Sequence, residues 1–168
     1  TAPPWLVEVR DFPCPFCKQG HDQSDAAIKH DYVDAGKVRL AYVNFPLSMH
    51  RNAMPAAETA MCAAAQDKFW PLHDALFATQ ERWEKLAQPQ PMFDSLATAS
   101  VVDMAALHRC LSAHLMKATI DADIDRASRA GVESTPTFLI GGTMVTGAQP
   151  LAVFRQVLDS ALAHAASH

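Results

Sequence analysis

Hydrophobic and polar positions divide the chain into three stretches of different period. Trp5-Leu6-Val7-Glu8-Val9-Arg10 is rich in large apolar and β-branched residues, follows Pro3-Pro4 and stops short of Pro13, the pattern of a short strand. A helix is expected from about Pro15, because proline is tolerated at a first helical position, where its missing N–H has no intrahelical partner. That helix runs to Ala35, and Gly36 supplies the left-handed residue that commonly closes a helix. Lys37-Val38-Arg39-Leu40-Ala41-Tyr42-Val43 then reads as a second strand, which makes a βαβ unit with parallel strands and a right-handed crossover.

From Asn52 to Ala130 the chain turns to Ala, Leu, Met, Glu and Gln with no convincing strand, so this stretch is predicted to be helical. Breaks are expected near Asp67, across Gln88-Pro89-Gln90-Pro91 and around Ser100 to Asp103. Strand signals return in Thr137-Phe138-Leu139-Ile140 and Thr143-Met144-Val145-Thr146, joined by Gly141-Gly142 as a hairpin turn. A last helix is predicted from about Pro150 to Ala163. The order is therefore βαβ, a helical block, then ββα: an α/β chain whose element order alone does not single out one arrangement.

Composition narrows the partners. The 168 residues are 49% hydrophobic and 19% charged, which suits a packed core, and the net charge of −4 gives no basic face to gather phosphates. Nucleic acid is not an expected partner. No apolar run approaches the roughly 18 residues that span a bilayer, so the chain is not expected to be membrane-spanning. Thr1-Ala2-Pro3-Pro4 lacks the charged and apolar regions of a signal peptide, so an exported protein would already have lost its signal.

Chemistry is concentrated in the four cysteines. Cys14-Pro15-Phe16-Cys17 is a Cys-x-x-Cys pair at a predicted strand-to-helix junction, the sequence signature of a redox motif. Only a thiolate attacks disulfides, and Cys14, at or next to the helix N-cap, meets unpaired N–H groups and the positive end of the helix dipole. Cys17 lies one turn on, within reach of the Cys14 sulfur. Cys14 is the predicted nucleophile and Cys17 the resolving thiol. Two cysteines at this spacing also suit half a zinc site, with His21 as a third ligand, or an inert disulfide; no second Cys-x-x-Cys or His-x-x-x-His follows. Cys62 and Cys110 stand far apart and read either as a structural bridge or as two small buried hydrophobes. The seven methionines, Phe69-Trp70 and Phe77 read as packing, and the scattered histidines receive no catalytic role.

Several segments together resemble one family. Asp11-Phe12-Pro13-Cys14-Pro15-Phe16-Cys17-Lys18, Tyr32 to Arg39, Asn44-Phe45-Pro46-Leu47, Lys68 to Phe77 and Gly131-Val132-Glu133-Ser134-Thr135-Pro136-Thr137-Phe138 are similar, in the same order, to the DsbA-like branch of the thioredoxin superfamily. The resemblance implies a thioredoxin-like fold with a helical insertion between the βαβ and ββα halves: residues 1–51 and 127–168 as the core, 52–126 as the inserted helical domain. It also implies a thiol-disulfide oxidoreductase without a cofactor, acting on unfolded or reduced polypeptides in the periplasm or after secretion, and recycled by a redox partner. Dithiol oxidase is the expected direction; a reductase or isomerase of the same fold, a polypeptide-binding chaperone, and a metal-binding module using Cys14, Cys17 and His21 are the alternatives.

Residue roles follow from the same resemblance. Pro136 is expected to be cis and to face the cysteine pair, with Thr135 contacting the nucleophile's sulfur and the substrate backbone. Glu8 matches the buried acid beneath the active site of many thioredoxin-like proteins; on a strand covered on both faces its pKa should rise, letting it relay a proton to or from Cys17. The alternative is a solvent-facing glutamate paired with Arg10 or Arg39. Phe12, Phe16 and Pro136 are expected to form an exposed apolar rim around Cys14, with Pro15 also touching substrate, although Phe12 suits ordinary packing equally. Some relatives carry a second disulfide in the helical insertion, which would be Cys62–Cys110; two free buried thiols are the alternative. Phe16 is a departure: the best-known oxidant of the family has histidine there, and a phenyl ring donates no hydrogen bond to a thiolate.

Overall fold

The computed structural model describes residues 2–167. Strand β1 (Trp5–Arg10) pairs in parallel with β2 (Arg39–Asn44) and antiparallel with β3 (Thr137–Ile140), which pairs antiparallel with β4 (Thr143–Thr146). The sheet order is β2-β1-β3-β4, so β1 is internal and flanked on both edges. Thr1 and His168, at the outer ends of the expected core ranges, lie outside the described residues.

A helical run over 15–33 links β1 to β2. It is not one regular helix: α1 (Pro15–Gly20) and α2 (Ala26–Ile28) alternate with the π-helical turns His21–Asp25 and Lys29–Val33. The expected helix to Ala35 thus stops at Val33, and Gly36, at φ +70°, turns the chain into β2. Between β2 and β3 come α3 (Ala53–Ala64), α4 (Phe69–Ala78), α5 (Gln80–Trp83), α6 (Gln90–Ala99), α7 (Met104–Ser112) and α8 (Lys117–Arg129). α9 (Leu151–Ala166) closes the chain. α6 starts inside the expected Gln88–Pro91 break, because Pro91 stands in its first turn, where no intrahelical N–H is missed. Breaks at Thr79 and over 113–116 carry no Gly or Pro and were not expected.

Alternation along β1 sorts the core. Leu6 packs with Ile28 and Tyr32 of the 15–33 run, with Phe138, and with Phe154 and Leu158 of α9. Val9 faces the other way, into a cluster with Phe45, Ala127 and Val132. α8 is tied to β2 by Asp123, whose Oδ2 accepts from the Asn44 backbone N–H at 3.1 Å and its side-chain amide at 2.8 Å. The third and largest cluster fills the helical block with Leu72, Leu76, Phe77, Trp83, Phe93 and Leu107, and it includes Phe12, Cys14 and Cys17. The cysteine pair therefore sits where the end of β1 meets the block. Among the described residues no helix is long and apolar enough to cross a membrane.

Cys62 of α3 and Cys110 of α7 are disulfide-bonded, with Cα atoms 5.9 Å apart and a sequence separation of 48. Closing a loop of this length restricts the unfolded chain by about 4 kcal/mol in the chain-entropy model. Replacing both with alanine is expected to lower unfolding stability by about 2–4 kcal/mol in urea titrations while leaving the Cys14 thiol titration in place.

Candidate active site

Cys14 is the N-cap of α1, with extended backbone at φ −67° and ψ 122°, and Pro15 opens the helix behind it. Both Cys14 and Cys17 are unbonded thiols, and both are buried, at 4% and 0% exposure. The two sulfurs differ in charge preference. Cys14 is lowered to about 5, first by the hydrogen bond from the Cys17 thiol and further by the backbone N–H groups of Phe16 and Cys17, against the opposing effect of burial. Cys17 is pushed well above the usual thiol range by burial and by the adjacent Cys14 charge. One sulfur is a thiolate at neutral pH and the other a thiol.

Two residues, Asp11 and Gln80, hold this turn. The Asp11 N–H donates to Cys17 Sγ at 3.5 Å, and the Asp11 carbonyl accepts from the Cys14 N–H at 3.1 Å. Gln80, from α5, donates its amide to the carbonyls of Phe12 at 2.6 Å and Cys14 at 2.9 Å. The Asp11 carboxylate accepts from the Leu47 N–H at 3.1 Å and from His50 Nδ1 at 2.6 Å, tying the loop after β2 to the cysteines. Neither Gln80 nor the Asp11–His50 pair was legible in the sequence, because each depends on partners more than 30 residues away.

Opposite the pair, the Thr135–Pro136 peptide bond is cis. Cys14 Sγ lies 3.5 Å from the Thr135 carbonyl, to which it donates only when protonated, and the Thr135 hydroxyl is buried without a hydrogen-bond partner. Of the four residues expected around Cys14 as substrate-contacting apolar groups, Pro15 and Phe16 are exposed, Phe16 to 62%. The expected exposed rim is corrected at the other two. Phe12 is 1% exposed, its ring packed 5.5 Å from Tyr42 and 5.0 Å from Phe77, because the chain leaving β1 turns it down into the helical block. Pro136 is also buried, next to Thr135, whose carbonyl meets Cys14 Sγ.

Below the pair lies a charged network. Glu8 is 4% exposed and not solvent-facing, and Arg10, on the same face of β1, is 1% exposed. The Arg10 guanidinium makes two hydrogen bonds to the Asp25 carboxylate and lies 3.4 Å from Glu8. Burial raises Glu8, Arg10 pulls it back, and the balance leaves it at about 7. Burial works against the Arg10 charge, but Glu8 and Asp25 outweigh it and hold the guanidinium protonated. His21, the third ligand in the alternative metal-site reading, meets His73 and Asp74 instead. Two groups, His21-His73-Asp74 and Glu8-Asp25-His73, place ligand atoms within 4.8 Å of one another, but Arg10 already supplies the positive charge beside Glu8 and Asp25.

Comparison with known proteins now decides the family. A family model described as Thioredoxin matches residues 1–160. The chain belongs to the thioredoxin family. It is 27% identical to a probable disulfide bond formation protein D of Bacillus cereus, over 85% of this chain and 68% of that protein. It is 32% identical to the Na(+)/H(+) antiporter NhaA 3 of Salinispora tropica over 98% of this chain, which spans only 24% of the antiporter's length. The fold of Wolbachia pipientis alpha-DsbA1 superposes with a TM-score of 0.86 at 23% identity, covering 99% of this chain and 89% of that one.

The thiolate of this family member has a measurable signature. Titrating the reduced protein at 240 nm is expected to give a midpoint near pH 5, and Cys17→Ala is expected to move that midpoint upward by removing the S–H donor. A depressed acid stabilises the fold above its unfolded pKa, near 9, and that contribution is lost as pH falls through the folded value near 5. Thermal unfolding of the reduced protein relative to a Cys14→Ser variant checks the sign.

Proposed function

We propose that the Cys14–Cys17 disulfide is donated to reduced polypeptides outside the cytoplasm, so that the protein works as a dithiol oxidase. The observation that carries this reading is the split between the two sulfurs: a Cys14 thiolate stabilised to about 5 favours the reduced form, and a stabilised reduced form makes the disulfide oxidising. The buried Cys62–Cys110 bridge supports an oxidising compartment, periplasmic or extracellular.

The exchange follows from the geometry. A substrate thiolate attacks Cys14 Sγ, the Cys14–Cys17 bond breaks, and Cys17 leaves as a thiolate that takes up one proton. A second substrate thiolate then attacks the substrate sulfur of the mixed disulfide, forming the substrate disulfide and releasing Cys14 as a thiolate. The substrate loses two electrons and the cysteine pair gains them. A redox partner reverses the process: Cys14 attacks its disulfide, and Cys17 gives up its proton and closes the pair. Glu8, buried and balanced near neutrality, serves as the proton store for Cys17. The unpartnered Thr135 hydroxyl and the Pro136 edge receive the substrate backbone beside Cys14. Exposed Phe16, together with Met49 on the loop that Asp11 ties to the cysteine turn, offers apolar contact to unfolded chains.

Equilibration of the pair with glutathione tests the direction. A potential well above the thioredoxin value of about −270 mV is expected, and a value near it would sink the oxidase reading in favour of a reductase. Phe16→His adds a donor beside Cys14 and is expected to raise the potential by roughly 30 mV or more, about a tenfold change in the exchange equilibrium.

A further inference from the structure

His73 is a histidine that the mechanism above does not use. It stands on α4, 2% exposed, with the rings of Phe12, Tyr42, Phe69, Trp70 and Phe77 packed around it at centroid distances of 5.1–6.0 Å. Its Nδ1 lies 2.8 Å from Asp74 Oδ1. A carboxylate only accepts, so Nδ1 carries the hydrogen, and in the neutral ring Nε2 is left as a bare acceptor. That Nε2 is buried and has no hydrogen-bond partner.

The ring lines a cavity of about 360 Å³ together with Glu8, Asp25, His21 and Asp74. A ring nitrogen of His73 and carboxylate oxygens of Glu8 and Asp25 lie within 4.8 Å of one another, the span that one water bridges. The volume is ample for such water, and polar groups face it from several sides. At the outer end, the Asp74 side chain is 65% exposed, and its Oδ1 also accepts from His21 Nε2 at 3.2 Å. The other nitrogen of His21 faces Asp22 at 3.1 Å, so both ring nitrogens meet carboxylates, which favour its charged form. His73, Asp74 and His21 thus form a continuous line from the buried carboxyl of Glu8 to water.

Resting on the reading of Glu8 as the proton store of Cys17, we propose that His73 passes protons between Glu8 and solvent through this cavity, with Asp74 as the outer acceptor. When Cys17 leaves as a thiolate it takes the Glu8 proton; Glu8 is reprotonated by the Nε2–H that the preceding outward half-cycle leaves on the ring, and His73 Nδ1 takes a proton from water through Asp74 Oδ1. When Cys17 attacks to close the disulfide, its proton goes to Glu8 and travels outward along the same line. Each half-cycle moves one proton, in opposite directions, so the ring returns to its starting tautomer without turning over.

Other charges facing the path fit this role. Arg10, from β1, makes two hydrogen bonds to Asp25 and only a longer contact with Glu8, at 3.4 Å, so Glu8 is the carboxyl of this group left to the cavity. Lys29, at the cavity edge, is engaged with Asp34. Tyr42, from β2, faces Glu8, and Cys17 reaches the same network through Arg10; burial holds both above their usual range and therefore protonated at neutral pH. Burial also lowers His73, which keeps the ring neutral and its Nε2 open.

The test follows the step in which Cys17 displaces glutathione from a Cys14 mixed disulfide, by stopped-flow fluorescence across pH. His73→Gln is expected to slow this step about tenfold near neutrality, less than the roughly hundredfold or more of a group that takes the proton directly, because His73 acts through Glu8, with the Cys14 thiolate midpoint unchanged. In His73→Ala, added imidazole is expected to restore the rate in proportion to its free base, an effect that a packing role does not produce. Glu8→Gln separates the two readings. If Glu8→Gln is slow and His73→Gln matches the parent, the path through His73 is overturned and Glu8 stands; if Glu8→Gln matches the parent, both fall. Should the His73 variants fail to fold, Asp74→Asn, at the exposed end, is expected to slow the step by roughly threefold, and a parental rate there would overturn the proposal.

Discussion

An arginine side chain is buried at the centre of this protein, and a guanidinium without partners would cost several kcal/mol there. Arg10 meets that cost with two bonds to Asp25 and with Glu8 at 3.4 Å, and it lies over the rings of Phe77 and Phe138 at 5.7 and 5.3 Å. Phe77 belongs to the helical block, Phe138 to the sheet and Asp25 to the run that carries the cysteines, so one side chain touches all three parts. Asp25 ends the π-helical turn His21–Asp25. That wider turn changes which residues of the run face β1, and the ion pair fixes the rotation at which the cysteines are presented. The same charge offsets part of the burial effect on Glu8, leaving a carboxyl that changes state near neutral pH.

The cysteine turn depends on the same junction from the other side. Its sulfur chemistry comes from local geometry: an N-cap position, two helix N–H groups and the neighbouring thiol. Its position comes from distant residues. Asp11 ties it to the loop after β2, Gln80 to the helical block and Thr135–Pro136 to the start of β3. The sheet and the helical block between β2 and β3 thus place two sets of restraints on one short turn.

Much of this was legible in the sequence for simple reasons. The strands are short runs rich in β-branched and large apolar residues bounded by Pro and Gly, and the hairpin turn is a Gly pair at Gly141-Gly142. Cys14 at a helix start followed from Pro15 and the spacing to Cys17. What was not legible depends on contacts between distant residues. The two π-helical turns have no local signature, and the buried Arg10 looked like the polar end of a strand until Asp25, 15 residues on, supplied its partner. Phe12 was readable either as rim or as core, and only the position of Tyr42 and Phe77 decides for the core. The cis bond at Pro136 came from resemblance, since nothing in the local sequence distinguishes it from an ordinary X-Pro bond.

Gln80 bridges two carbonyls of the backbone around the nucleophile, those of Phe12 and of Cys14 itself. Both of its bonds are made to main chain, so they are indifferent to what the Cys14 sulfur is bonded to. The frame can therefore stay still while the sulfur exchanges a thiol neighbour for a disulfide. Turnover then becomes a matter of relocating one covalent bond and one proton within a fixed cage, and little of the driving force of exchange needs to go into moving the chain.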